Sequence, residues 1–481
     1  MKLKSIAKWC SITAIGTFLC AAALVMAPRM QSVPVVVRSS PVLAAGQAPS
    51  GSSQTEKAEQ VRLTMTSKVS PDGYVMPLDN NERTWIPMEK DVTIHVKGKK
   101  AFSGLYIKLE KPCQWSVTLP DGTKLEGGKN GFIHEWMPLG QSVKTLELYL
   151  PKGACLCDVY GFTDGRLPDW VQVWGPPCET ADLMVMPTHA DDELLWFGGA
   201  LPYYAGECGY KVQVVYLTNH FNRTIRCHEQ LNGLWAVGVR HYPIVTDLFT
   251  DKTVTRNYEG AESFFGYDNV LRFQVEMLRR FSPKVVIAQD IKGEYGHGAH
   301  ILNVKTLMEA LEMTDDPSAF PESAEKYGTC QVQKVYLHLW PEHKIVVDWG
   351  KMELSRFGGK TALEMARRGF ACHVTQQDHF YVSDTGKYDC RKFGLAYTNV
   401  GWDTPDQNDM FEHVVWSDVV SEEKEPVIVS TSDNEVSPSD INTARLRKQM
   451  AGIAVMLVTV IGCIVILVCG KKNKCSFGCD F

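Results

Sequence analysis

The chain has 481 residues, with 50 Lys and Arg against 55 Asp and Glu, for a formal net charge of −5. With 44% apolar, 22% charged and 10% aromatic residues, it is not a disordered polar chain, a collagen or a polytopic membrane protein. The mild negative balance lacks the concentrated basic face that nucleic acid demands, so no nucleic-acid partner is expected.

Lys2, Lys4 and Lys8 precede an uncharged run from Trp9 to Ala27. Residues 1–27 therefore read as a signal peptide or a signal anchor, with cleavage conceivable after Ala27 or near Ala44 and Ala45. Residues 28–60, rich in Pro, Ser, Ala and Gln, read as a flexible linker. Over residues 61–165 short alternating runs recur, among them Val92–Val96, Leu105–Leu109, Trp115–Leu119 and Leu146–Leu150, with a hairpin signal at Pro120-Asp121-Gly122-Thr123. They predict a small all-β sandwich domain, either a spacer or a surface that holds glycan. Trp115 and Trp136 fit its core or a sugar-stacking face.

After Trp170, apolar strands alternate with helical stretches. Strands are predicted at Leu183–Met186, Val212–Leu217, Val285–Ala288 and Val335–Leu339, and helices at Thr224–Val237, Tyr267–Arg280 and Ile301–Met313. Over residues 175–415 this rhythm predicts an α/β fold: a Rossmann-like, mostly parallel sheet with helices on both faces. An acidic stalk follows at 416–448. Gln449–Gly470 is uncharged and long enough to cross the ~30 Å core of a bilayer, so 449–470 reads as a transmembrane helix and 471–481 as a cytoplasmic tail. The leading lysines, with Lys471, Lys472 and Lys474, place the middle of the chain on the extracytoplasmic side of the membrane, although Arg445, Arg447 and Lys448 pull the other way. Nine of the 15 cysteines lie between the apolar ends, and no CxxC pairing suggests a thiolate zinc site.

Two segments carry the chemistry. The strand Leu183–Met186 runs into Pro187-Thr188-His189-Ala190-Asp191-Asp192-Glu193, and the strand Val285–Ala288 runs into Gln289 through His300, ending Gly296-His297-Gly298-Ala299-His300. Carboxyl ends of parallel strands open onto the ligand crevice, so two clusters of metal-ligand residue types converge on one rim.

His189-Ala190-Asp191-Asp192-Glu193 resembles the His-x-Asp-Asp-Glu signature of the PIG-L/LmbE-like family of metal-dependent N-acetylglucosaminyl deacetylases, and Gly296-His297-x-x-His300 is similar to that family's second motif. Softer matches are Arg226-x-x-Glu229 leading to Gly238, and Lys360 followed by His373-Val374-Thr375-Gln376. The likeness spans roughly residues 181–377. It implies that His189, Asp192 and His300 hold the metal and that Asp191 is the general base. His297 would stabilise the oxyanion or protonate the leaving amine, and Arg226 would contact substrate. Arg226 and Glu229, three apart on a helix, also fit a plain surface ion pair. Two imidazoles and a carboxylate suit Zn(II) or Fe(II), and hydrolysis favours zinc. Many relatives have Pro-Asp between the two His of the second motif, where this chain has Gly298-Ala299, so an Asp that could orient His297 is missing. The expectation is a membrane-anchored zinc N-deacetylase acting on an N-acetylated amino-sugar glycoconjugate. The alternatives are an amidase on another acylated amine and an inactive surface glycan-binding protein. No oligomeric state is indicated.

Overall fold

A computed structural model describes residues 56–416. The expected signal segment, most of the linker, the stalk beyond Trp416, the membrane span and the tail lie outside the described residues. Among the described residues, no helix is long and apolar enough to cross a membrane.

The first part is built of β-strands, with one 3-10 turn at Met76–Leu78. Its strands are β1 (Gln60–Val61), β2 (Leu63–Thr66), β3 (Ile86–Pro87), β4 (Val92–Leu109), β5 (Trp115–Thr118), β6 (Lys124–Gly127), β7 (His134–Leu150) and β8 (Cys155–Phe162). All pair antiparallel, and hydrogen bonds join the eight into one sheet. Where a sandwich was expected, one ladder runs through the bent long strands. Gly98-Lys99-Lys100 breaks the apolar alternation, so the sequence suggests two separate strands where one 18-residue strand runs through. The β4–β7 ladder is irregular between Lys97 and Gly104, which lets both long strands turn a corner without ending. The first half of β4 then pairs with β2 and the second half with β8. Inward positions of both halves, Ile94 and Val96 in the first and Leu105 and Ile107 in the second, meet in one apolar cluster. Trp115 is buried in it, which bears out its reading as a core residue.

The second part begins with β9 (Leu183–Met186) and the short α1 (Asp192–Leu195), then β10 (Val212–Tyr216), α2 (Ile225–Ala236), β11 (Ile244–Val245), α3 (Tyr258–Phe265) and α4 (Tyr267–Phe281). Next come β12 (Val285–Ala288), α5 (Gly298–Leu311), α6 (Pro321–Tyr327), β13 (Lys334–His338), β14 (Lys344–Val346), the hairpin pair β15 (Glu353–Leu354) and β16 (Lys360–Thr361), α7 (Ala362–Phe370) and β17 (Lys392–Thr398). Seven strands form one mixed sheet in the order β11-β10-β9-β12-β13-β17-β14; the first five run parallel, and β17 pairs antiparallel with both β13 and β14.

Both faces are covered, so strands read as continuous apolar runs rather than alternating ones. Leu183, Val185, Val285 and Ile287 face a core shared with α2 and α7, whereas Met184, Met186, Val286 and Ala288 face the core under α3, α4 and α5. Helix α4 shows how the sequence sets these elements. Val270, Val275, Leu278 and Phe281 keep one stripe buried, and the chain leaves through a left-handed Ser282 whose N–H reaches the Leu278 carbonyl, just ahead of Pro283. The order reverses between β9 and β12, and that switch point is where a crevice opens.

Candidate metal centre

The loops leaving β9 and β12 are stitched together before any chemistry is considered. The Gln289 side-chain oxygen accepts the Thr188 backbone N–H at 3.0 Å, and Asn303 on α5 donates to the Met186 carbonyl at 3.2 Å. The structure thereby brings His189, Asp191, Asp192, His297 and His300 to one place, across a sequence gap of more than a hundred residues.

Asp192 opens α1, and its two oxygens have separate tasks. Oδ1 accepts the Trp196 indole N–H at 2.7 Å; Oδ2 accepts the His189 backbone N–H at 2.7 Å. The same Oδ2 lies 3.2 Å from His189 Nδ1 and 3.4 Å from His300 Nε2, and those two nitrogens are 3.1 Å apart. Donors ~2.0–2.1 Å from a tetrahedral zinc stand about 3.3 Å apart, so this triangle has the size of one metal's coordination face. His189, His297 and His300 also form a second possible ligand set, because His297 stands beside both. Burial would raise the Asp192 carboxyl, but the charge of His300 and the hydrogen bonds from His189 hold it far below the usual range. Burial would lower His189, yet Asp192 and Asp251 lift it to about 9. The field at this spot favours positive charge.

Glu294 supports the face from behind. Fully buried, it lies 2.9 Å from His300 Nδ1 and 2.8 Å from His338 Nδ1, and it accepts the Asp290 backbone N–H at 3.0 Å. Burial pushes its carboxyl up, but the bonds from His300 and His338 bring it down to about 2. Pinning Nδ1 turns His300 Nε2 toward Asp192, the outer carboxylate–histidine support common at metal sites.

Asp191 points elsewhere. Its φ of +120° is outside the range comfortable for a side-chain-bearing residue, and its N–H is held by Glu193 at 2.9 Å. Its Oδ2 lies 3.3 Å from Arg226 Nη2, and Arg226 also donates to the Ala190 carbonyl. Burial raises the Asp191 carboxyl, Arg226 lowers it and Asp192 raises it again, leaving it at about 7. Arg226 is buried and faces Asp191; Glu229 instead accepts from the Thr375 backbone N–H at 2.9 Å. The surface-pair reading of Arg226 and Glu229 is thus overturned, because α2 packs this face against the β9 loop.

His297 caps α5. Its Nδ1 is buried with no hydrogen-bond partner among the described residues, as the missing Asp of the second motif foreshadows. Burial, His189 and His300 push it down to about 3, so the imidazole is neutral at neutral pH. Helix α5 begins three residues before the expected Ile301, so His300 sits in a fixed first turn. Gly298 makes this possible: a Cβ there would lie 2.0 Å from the Asn257 carbonyl carbon, and Ala299 is wholly buried. The departure from Pro-Asp is therefore a packing requirement of this chain.

Sequence reasoning missed Asp251 and His220. Asp251 lies 3.6 Å from His189 and 3.8 Å from His220, brought in by a bridge between Asn219 and Thr250. His373 lies 3.2 Å from Glu193. Nothing in the local pattern around Asp251 marks it. A cavity of about 730 Å³ opens over the centre, lined by Asp191, Arg226, Asp251, His297 and the aromatic wall of Trp196 and Tyr295. That is within the range of small-molecule sites.

No family profile matches the chain. It is 24% identical over 190 residues to 1D-myo-inositol 2-acetamido-2-deoxy-alpha-D-glucopyranoside deacetylase 1 of Catenulispora acidiphila, covering 34% of this chain and 58% of that protein. It is 44% identical over 69 residues to deacetylase 2 of the same description from Saccharopolyspora erythraea, covering 14% of this chain and 24% of that one. The chain thus spans little more than half, and about a quarter, of the curated relatives it matches. Among solved structures, N,N'-diacetylchitobiose deacetylase from Pyrococcus horikoshii superposes with a TM-score of 0.32 at 17% identity, over 42% of this chain and 72% of that one. Motifs and curated matches agree: the α/β part of this chain is similar to the PIG-L/LmbE-like deacetylases.

Proposed function

We propose that this chain is a metal-dependent N-deacetylase that removes acetyl from an N-acetylglucosamine-type sugar. The observation that carries the reading is the triangle of His189 Nδ1, Asp192 Oδ2 and His300 Nε2, with sides of 3.1 to 3.4 Å, beneath a cavity of about 730 Å³. His189, Asp192 and His300 would hold the ion, and zinc fits their donor set best. A bound divalent metal would supply Lewis acidity, polarising the amide carbonyl and making water a better nucleophile near neutral pH.

The remaining steps belong to side chains. Asp191, raised to about 7, takes the proton of the attacking water and then has one to pass to the departing amine. Arg226 keeps its carboxylate aimed, by pairing with Oδ2 and gripping the Ala190 carbonyl of the same loop. His297, neutral and buried at Nδ1, donates a hydrogen bond to the oxyanion rather than a proton to the amine. Trp196 and Tyr295 offer flat faces to a sugar ring along one wall. Arg226 also lines the cavity, in reach of substrate.

We further propose the topology that the ends of the sequence suggest: a segment at 1–27 that directs export, a span at 449–470, the catalytic part on the extracytoplasmic side and the tail in the cytoplasm. Acetate release from a panel of N-acetylglucosaminides and other acylated amines tests the activity. Wild type should cleave the amino sugars, and Asp191→Asn should lose about 10²–10⁴-fold in kcat. Release from no amino sugar, or an unchanged Asp191→Asn, refutes it.

A further inference from the structure

A second cluster of metal-ligand side chains lies outside the centre described above, where the all-β part meets α2. Cys157 comes from β8, Glu110 follows β4 and His228 lies on α2, and all three are buried. Glu110 is fixed at both ends: its backbone N–H bonds the Cys155 carbonyl at 2.9 Å, and its Oε1 accepts from the Thr224 hydroxyl. That leaves Oε2 directed inward. Oε2 lies 3.5 Å from Cys157 Sγ and 3.4 Å from His228 Nε2, and Sγ lies 3.8 Å from the same nitrogen. Around a tetrahedral zinc, nitrogen and oxygen donors stand about 3.4 Å apart, and a thiolate at ~2.3 Å stands about 3.6 Å from either. The three separations match that face.

The hydrogen bonds behind His228 show which way its lone pair points. The Trp174 indole N–H can only donate, so the Gln172 atom 2.8 Å from it is the amide oxygen. That oxygen also faces His134 Nδ1 at 2.8 Å, which must therefore carry a proton. With Nδ1 protonated, the neutral ring of His134 offers Nε2 as an acceptor. It lies 2.7 Å from His228 Nδ1, which must donate to it. With Nδ1 turned to His134, His228 directs its other ring nitrogen, Nε2, at a carboxylate oxygen and a sulfur. Three side-chain atoms of metal-ligating type therefore converge on one point. A cation at that point would be met by all three together.

We propose that Cys157, Glu110 and His228 bind a divalent metal of the zinc class, as a structural cross-link between the all-β part and α2. The donors are a thiolate, an imidazole and a carboxylate, with a fourth position for water on the side of the cavity of about 350 Å³ that borders Glu110 and Thr224. Helix α2 also carries Arg226, so the cross-link steadies the residue that aims Asp191. The inference does not rest on the deacetylase reading, since no residue is shared with the first centre.

Cobalt(II) titrated into the metal-stripped full-length chain separates the two sites. The first centre has no sulfur donor, so the part of a near-ultraviolet thiolate-to-cobalt charge-transfer band that Cys157→Ser removes reports the second site. Wild type should develop the band to one equivalent. Cys157→Ser should abolish it, and His228→Gln, which leaves every thiol in place, should weaken cobalt binding at least tenfold when read by the same band. No band in the wild type overturns the proposal without need of a folded variant. So does a band that both variants leave unchanged.

Discussion

Glu294→Gln tests how far the metal face depends on what lies behind it. The substitution keeps shape and volume but removes a buried charge that lies 2.9 Å from His300 Nδ1 and 2.8 Å from His338 Nδ1. A glutamine carbonyl replaces one acceptor, while its NH2 group meets the second imidazole donor-first. One charge-assisted hydrogen bond, worth about 1.5–3 kcal/mol, is lost. His300 then has no fixed reason to aim Nε2 at Asp192. At ~1.4 kcal/mol per decade this corresponds to about a 10–100-fold weaker metal affinity, the range common for such supporting carboxylates. Competition with a chromophoric zinc chelator measures it, with circular dichroism confirming the fold. A folded variant whose first-site affinity stays within about threefold of wild type refutes the argument.

Gly298→Ala places a methyl 2.0 Å from the Asn257 backbone and should cost about 1–3 kcal/mol in urea unfolding, with zinc affinity falling as the start of α5 shifts; unchanged stability contradicts the close approach. Burial raises the Glu82 carboxyl, but Lys108, whose ammonium bonds its Oε1, is chief among the groups that bring it down to about 2, from an ordinary value near 4.5. Its contribution is full above the unfolded value and is lost as pH falls through the folded one. Glu82→Gln should therefore cost about 3 kcal/mol at pH 7, shrinking toward pH 2, and a pH-independent difference would refute this. Arg226→Lys cannot grip the Ala190 carbonyl and Asp191 together, so kcat/KM should fall about 10–30-fold, and an unchanged ratio would contradict the aiming role.

The parallel sheet was legible because buried strands leave unbroken apolar runs. Leu183–Met186 and Val285–Ala288 were found at their observed limits, and the chemistry sat immediately after each. The rest depended on contacts that leave no local mark. β4 reads as two strands because its corner is polar, although the ladder continues through it. The start of α5 was hidden because a glycine normally breaks helices, and only the nearness of Asn257 explains why one is needed there. Asp251 reaches His189 through a single bridge, and Cys157, Glu110 and His228 share no spacing because they come from three elements. Mixed-donor clusters assembled by tertiary packing have no motif to find.

The most direct test is metal dependence of the reaction itself. Acetate release from an N-acetylglucosaminide is followed for chain stripped with chelator and then reloaded with zinc, alongside His189→Ala and His300→Ala. Activity should vanish on stripping, return on reloading in the wild type, and fail to return when either imidazole is absent. Full activity in the stripped chain, or recovery in both variants, would contradict the account.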